Sequence, residues 1–274
     1  VHLLQNVYGT LTGFDDELEV VPALAESWDV SDDGLTLTFH LRDGVTFHDG
    51  SDLDAEDVVH SLEAIMDEAT AAVGAATLAS VESVARGAPD PVALALGARG
   101  ASILEGMAEV NRASLASADT EEGLTTATNG TGPFRLVERV PNEALTLEAF
   151  EDHWDGAPEL DAVEFRVIPD ETSIVSALDS GNVQFAVLDD PIVAETVGSN
   201  VTITPTPQLS YHVLQLNARA GALTDVNVRL AMQCAIDRQQ VLDTAAFGEG
   251  EVTGPITSPA YRSDPSARPC PERD

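Results

Sequence analysis

The side chains best able to do chemistry in this chain are few and scattered. His40 and His48 fall on segments that the pattern reads as the two strands of a hairpin, where two imidazoles could approach one metal ion. No third ligand stands at a metal-binding spacing, and outward strand positions account for both. Serine, histidine and aspartate are all present, yet no G-x-S-x-G elbow frames a serine. The paired acids Asp15-Asp16, Asp32-Asp33 and Asp189-Asp190 lie in turn sequence. In a chain with 47 acidic residues such adjacency is expected, so they read as solvated turn residues, not as general acid–base partners. Asn129-Gly130-Thr131-Gly132 has two glycines beside a strand. It lacks the G-x-G-x-x-G spacing, the trailing helix and the distal acid of a dinucleotide site, and reads as a tight loop. Cys234 falls in an apolar helical pattern, where a buried thiol is the default, and Cys270 in a Pro-rich tail. No CxxC, zinc spacing or disulfide framework is visible. Asn129-Gly130-Thr131 and Asn200-Val201-Thr202 match the short glycosylation acceptor pattern. No catalytic residue, metal or cofactor is expected.

Charge is the strongest compositional signal. The formal net charge is −34 over 274 residues, and all 13 basic residues are arginine. A basic patch for nucleic acid is excluded as a function class. A dense carboxylate surface suits a high-salt habitat, where self-repulsion is screened; arginine and alanine preference in a high-GC genome is the competing account. The acids are spread along the whole chain, so they do not mark a site for cationic ligands. With 43% hydrophobic residues the chain can build one large domain or two small ones. No apolar run approaches the ~20 residues of a membrane-spanning helix. No basic-then-apolar leader opens the chain. Val1-His2-Leu3-Leu4 enters directly as a helical pattern, so the start is expected to fall inside a domain.

The elements that must position any site follow from periodicity. Leu3, Leu4, Val7 and Leu11 share one helical face. Leu35, Leu37, Phe39 and Leu41 alternate with polar residues as a half-buried strand, Asp43-Gly44 supplies a turn, and Val45 and Phe47 carry a return strand. A helix opens at Asp54, with Asp57 completing a capping box and Val58, Leu62, Ile65 and Met66 as its buried stripe. Strands are expected over 78–84 and 92–96, a short helix over 103–109 and a surface loop over 117–128. Phe134 opens a hairpin that turns at Pro141-Asn142 and returns through Leu145 and Leu147. Val163, Phe165 and Val167 alternate as the next strand. A helix over 172–179 ends at Gly181, and another begins near Pro191. Strands are expected over 183–188, at Val201 and Ile203, and over 211–217. Residues 225–237 form a helix with Val228, Leu230, Ala231, Ala235 and Ile236 available for burial.

Several of these segments carry more than a pattern. P-A-L-A-E-S-W from Pro22, D-G-L-T-L-T-F-H-L-R-D-G-V-T-F-H-D-G from Asp33 and A-E-D-V from Ala55 together resemble the signature of the family 5 extracellular solute-binding proteins, the peptide, dipeptide and nickel receptors of ABC importers. F-E-D-H-W-D-G-A-P-E-L-D-A-V-E-F-R-V-I-P-D from Phe150 resembles the family's aromatic-Trp-Gly step and the strand after it. V-N-V-R-L-A-M-Q-C-A-I-D-R from Val226 resembles its R-x-A-hydrophobic-x-x-A-I-D-R helix. The resemblance covers essentially the whole chain, in the family's order. It implies a mixed α/β fold of the periplasmic-binding-protein class II kind: the first of two lobes, lacking its first strand and the opposing lobe. It implies a main subdomain over 1–43 and 166–254, a smaller inserted β-rich subdomain over 44–165, and a crossover tail over 255–274. The implied role is capture of an oligopeptide or similar small solute between two lobes that close like a clamp, and delivery to ABC permease subunits. A solute-sensing receptor for a signalling system is the alternative, and a hydrolase a more distant one. The implied location is outside the cytoplasm, lipid-anchored in the longer protein.

Ligands of α/β folds bind where loops leave the sheet and at domain interfaces. Four loops carry suitable groups: Asn6-Val7-Tyr8, which by resemblance points into the cleft; Glu109 to Arg112, with Asn111 and the lone local cation Arg112; Thr131-Gly132; and Gln208 to His212, with Tyr211 and His212. Tyr, His, Asn and Arg can hydrogen-bond a peptide backbone or carboxylate. Each also has a structural reading: Tyr8 as a core ring with its hydroxyl at the rim, Arg112 as partner to one of many acids. Tyr211 and His212 cannot both face inward from a regular strand.

Overall fold

The computed structural model describes residues 2–87, 91–98, 103–108, 115–116, 128–204, 214–245, 247–248, 250 and 252. They fall into two units, Val1–Val167 and Ile168–Asp274.

The first unit opens with α1 (His2–Val7) and a small ribbon, β1 (Thr12–Phe14) against β2 (Val20–Pro22). Its main sheet holds β3 (Ala25–Val30), β4 (Thr36–Leu41), β5 (Val81–Arg86) and β6 (Val92–Leu96), in the order β3-β4-β6-β5, with every pair antiparallel. The alternation in β4 holds for its centre, where Leu37 and Phe39 are buried; Leu41 is half-buried, and Leu35 precedes the strand and is exposed. Its partners differ from expectation. β4 turns back on β3 through Ser31 to Gly34 and pairs on its other edge with β6. Val45 and Phe47 form no strand; the return is a single bridge, Thr46 to Asp52. Both are nevertheless completely buried, because the loop folds under the sheet and its backbone is satisfied by Leu53 N–H to Val45 O at 2.9 Å and Phe47 N–H to Ser51 O at 2.8 Å. Apolar alternation alone cannot separate a paired strand from a buried loop.

Helix α2 (Ala55–Met66) starts where Asp54 directs. The Asp54 carboxylate accepts from Glu56 N–H at 2.7 Å and Asp57 N–H at 3.3 Å, and Asp57 returns the favour to Asp54 N–H at 3.0 Å. Val58 and Leu62 are fully buried against the sheet, with Ile65 and Met66 packed at the margin. α3 (Ile103–Ala108) adds Ile103 and Met107 to the same core. A second sheet, β7 (Phe134–Val140), β8 (Ala144–Ala149) and β9 (Ala162–Arg166), follows the predicted hairpin and strand. Asn142 takes the positive φ of 62° at its turn. This sheet buries Phe134 and Leu147 with Val7. Arg42 joins the opening stretch to the later motif: its guanidinium lies 4.5 Å over the Trp154 ring while Nε donates to Ala23 O.

The second unit holds α4 (Glu171–Asp179), α5 (Pro191–Ala194), α6 (Val226–Ala235) and α7 (Arg238–Ala245). Asp170, Asp190 and Asp225 cap the starts of α4, α5 and α6, a role the sequence reading did not assign to them. Its expected strands do not appear among the described residues. Among the described residues, 183–188, 201–203 and 214–217 belong to no strand; the rest of the expected 211–217 strand lies outside the described residues. The burial expected along α6 also fails: none of its residues is buried, and Ala231, Ala235 and Ile236 are exposed. Among the described residues of this unit only Val175 and Leu178 join the buried hydrophobic set, while Phe185 is 81% exposed. An extended segment gains its hydrogen bonds only from a neighbouring strand, and a helix its buried stripe only from a packed face. Cys234 corrects another expectation: it is disulfide-bonded, not a free buried thiol, and is only half-buried.

Candidate ligand-binding surface

Two of the four sequence-selected loops meet, Asn6 to Tyr8 and Thr131-Gly132. The other two, with Asn111, Arg112, Tyr211 and His212, lie outside the described residues, as does all but residue 128 of the surface loop expected over 117–128.

The meeting begins with a helix end. The last carbonyls of a helix lack intrahelical partners, and Val7 O is taken by Gly132 N–H at 3.0 Å. The approach is close enough to require glycine twice. A Cβ on Gly132 would lie 2.6 Å from both Asn6 O and Val7 C, and one on Gly130 would lie 2.9 Å from Tyr8 Cδ1. Thr131, between them, is fully buried. Its Oγ1 lies beneath Gly9 and has no hydrogen-bond partner among the described residues. Asn6 and Tyr8 sit half-exposed above it. The Tyr8 ring packs on the Val7–Phe134–Leu147 cluster. Burial pushes its hydroxyl above the usual phenol value, so it stays protonated and can both donate and accept. The surface thus offers a neutral phenol, a carboxamide and an aromatic face, with a buried hydroxyl below.

The loop itself is held by residues that sequence reading treated as bland. His48 is no outward strand residue. Its backbone N–H donates to Gly130 O at 3.0 Å. Its Nε2 lies 2.9 Å from Gly132 O, and its Nδ1 accepts from Gly130 N–H at 3.4 Å. Those two ring contacts together select the neutral Nε2–H tautomer. The ring meets Phe150 edge-on at 5.1 Å. Burial pushes the imidazole below its usual value, with Arg135 and His153 adding to the effect and the Gly132 carbonyl and Asp49 opposing it. Next door, Asp49 N–H donates to Asn129 Oδ1 at 3.2 Å and Asn129 Nδ2 donates to Asp49 Oδ2 at 2.8 Å. Partial burial of the Asp49 carboxyl is outweighed by hydrogen bonds from Ser51 and Asn129, which hold it below its usual value. Asn129 is therefore buried and occupied, and its glycosylation pattern is overruled. His40 is engaged elsewhere, with Asp29 at 2.9 Å. Among the described residues no cluster of three or more His, Cys, Asp or Glu is placed to hold a metal ion.

The second unit carries a separate concavity of about 580 Å³, lined by Leu214, Leu216, Val226, Leu230 and Ile236 with Arg229 and Arg238 among them. Arg229 already donates to Leu223 O and Thr224 O. Of the sequence-selected residues that the structure describes, Asn6, Tyr8 and Thr131, none is among its lining.

Comparison with known proteins decides the family. Residues 19–271 match the model of the bacterial extracellular solute-binding proteins, family 5 Middle. The chain belongs to this family. The oligopeptide-binding protein AppA of Bacillus subtilis is 30% identical over 257 residues, which is 90% of this chain and 47% of AppA. The AppA structure, in complex with a nonapeptide, matches with a TM-score of 0.78 at 27% identity, covering 97% of this chain and 55% of that one. NikZ from Campylobacter jejuni, in complex with Ni(L-His), matches with a TM-score of 0.80 at 25% identity over 92% of this chain and 52% of that one. The mixed α/β fold of this family 5 protein is thus that of the periplasmic binding proteins, and the chain spans about half the length of the curated relatives it matches. The family is defined by solute binding outside the cytoplasm. Among the described residues no helix is long and apolar enough to cross a membrane.

Proposed function

We propose that this chain is the first-lobe portion of the substrate-binding component of an ABC-type importer, which captures a peptide or similar small solute between two lobes and hands it to a membrane permease. The observation that carries this reading is the near-complete match of the chain to AppA bound to a nonapeptide. The Asn6–Tyr8 surface supports it: a neutral phenol and a carboxamide bind main-chain N–H and C=O groups without demanding one side chain. In this reading Asn6 and Tyr8 touch the solute, Thr131 supports them from below, and Asn111, Arg112, Tyr211 and His212 are further ligand-binding residues. Residues 44–165 form the inserted subdomain, and 255–274 lead toward the opposing lobe. The protein performs no chemistry on its solute. The disulfide at Cys234 suits an oxidising compartment outside the cytoplasm.

One wall of a clamp supplies part of the contacts and cannot desolvate the ligand, so the 274-residue chain alone binds peptides weakly or not at all. Calorimetry with peptides from two to nine residues checks this; tight binding by the isolated chain overturns the two-lobed reading. Uptake of labelled peptide falls in a strain lacking the gene. Unchanged peptide uptake in that strain overturns the transport assignment.

A further inference from the structure

The contact between His48 and the 129–132 loop links a titratable group to the end of α1 through hydrogen bonds and to the Tyr8 ring through packing. We propose that His48 is the positioning residue of the Asn6–Tyr8 surface, and that its protonation releases that surface. The functional meaning rests on the proposed ligand role of Tyr8; the mechanical coupling does not.

The path is short. Neutral His48 grips both ends of the Gly130–Gly132 segment, donating to one carbonyl and accepting from one amide. Gly132 in turn holds the carbonyl that ends α1, and Gly130 packs against the Tyr8 ring. A protonated imidazole has no acceptor nitrogen. It would point an N–H at the Gly130 N–H, so that contact reverses from attraction to repulsion. The charged groups around the ring are Asp49 on its own turn, Arg135 on β7, and His153 on the turn after β8. Asp49 favours the cation, but its carboxylate is committed to Ser51 and Asn129. Arg135, itself ion-paired with Glu148, and a charged His153 oppose it. The surroundings therefore hold the neutral clamp at neutral pH and surrender it on acidification.

The sign follows from the direction of the shift. The folded imidazole titrates below its unfolded counterpart, so the clamp's contribution is complete above the ordinary imidazole value. It declines as pH falls from there through the folded value.

The test is an acid titration of the isotopically labelled 274-residue chain, followed by NMR. Four signals are read together: the His48 ring, the Tyr8 ring, and the amides of Gly130 and Gly132. Expected is a Tyr8 shift that tracks the His48 ring, with about a tenfold loss of Gly130 amide protection over the same interval, the scale of one hydrogen bond. His48→Gln, which keeps a donor for Gly132 O but cannot titrate, should remove that step, whereas His153→Gln should leave it in place. A His48 ring that titrates while Tyr8 and Gly130 stay unmoved overturns the proposal, and the wild-type spectra alone suffice to show it. Failure of peptide transport tests the functional reading separately, since no ligand enters this experiment.

Discussion

Replacing Gly132 by alanine isolates what the loop-to-helix contact is worth. The added Cβ would sit 2.6 Å from Asn6 O and Val7 C and 2.8 Å from Val7 O. All three are backbone atoms at the end of α1, so none can swing aside. Relief requires the loop and the helix end to separate by several tenths of an ångström, an overpacking cost of about 1–3 kcal/mol. The Gly132 N–H to Val7 O bond weakens or breaks, adding about 1 kcal/mol. Loss of glycine's freedom in the unfolded chain returns ~0.5–1 kcal/mol. The net is a destabilisation of about 2 kcal/mol. Gly97→Ala is the control. Its Cβ would lie 2.7 Å from Glu82 Oε1, a nearly equal clash, but with the end of a flexible and exposed side chain. That variant should be neutral or slightly stabilised. Trp28 and Trp154, the chain's two tryptophans, both belong to the first unit, so tryptophan fluorescence in a urea titration reports that unit alone. Gly132→Ala should lower the midpoint by roughly 1 M at a slope of about 2 kcal/mol/M, with Gly97→Ala unchanged. Equal midpoints for the two variants would refute the reasoning, because it would mean that the closeness of a neighbour matters and its stiffness does not.

Other outcomes follow from features already described. Asp54→Ala removes the acceptor for two amides at the start of α2 and should cost about 1–2 kcal/mol in the same titration. Raising NaCl from 0.1 to 1 M shortens the screening length from about 10 to about 3 Å. With a net charge of −34, the thermal midpoint should rise by about 5 °C; a flat response would count against the high-salt reading of the surface. Cys234 should resist a thiol reagent in the unreduced protein and react only after reduction, as read by mass spectrometry.

Local rules served where the sequence carries its own partners. Asp54 and Asp57 cap each other within one turn, and Phe134 to Leu147 closes on itself through Asn142, so both were legible. Phe39 was legible as a buried strand residue, but its neighbours were not: β4 chooses β3 and β6 over the nearer Val45 and Phe47, and apolar alternation does not encode pairing. The strands at 183–188 and 201–203 show the converse. Their β-propensity is genuine, but propensity without a paired edge does not make a sheet. At the candidate surface, Asn6, Tyr8 and Thr131 are selected from the sequence by residue type, loop position and, for Asn6 and Tyr8, family resemblance. His48, Asp49 and Asn129 were missed as its supports, because the contact between H-D-G and N-G-T-G spans some 80 residues. No local pattern signals that distance.

Those long spans also set an order of events in time. Val7 waits for Gly132, Gly9 for Leu115, Thr12 for Leu104, 92 positions away, and His48 for Gly132, 84 positions away. A chain emerging from the ribosome amino end first can form β3, β4 and α2 early. It cannot lock its own beginning until the 129–132 loop has appeared. Contacts so distant in sequence make for slow closure, and until then Val7 and Leu11, buried in the finished unit, remain open to whatever meets the nascent chain first.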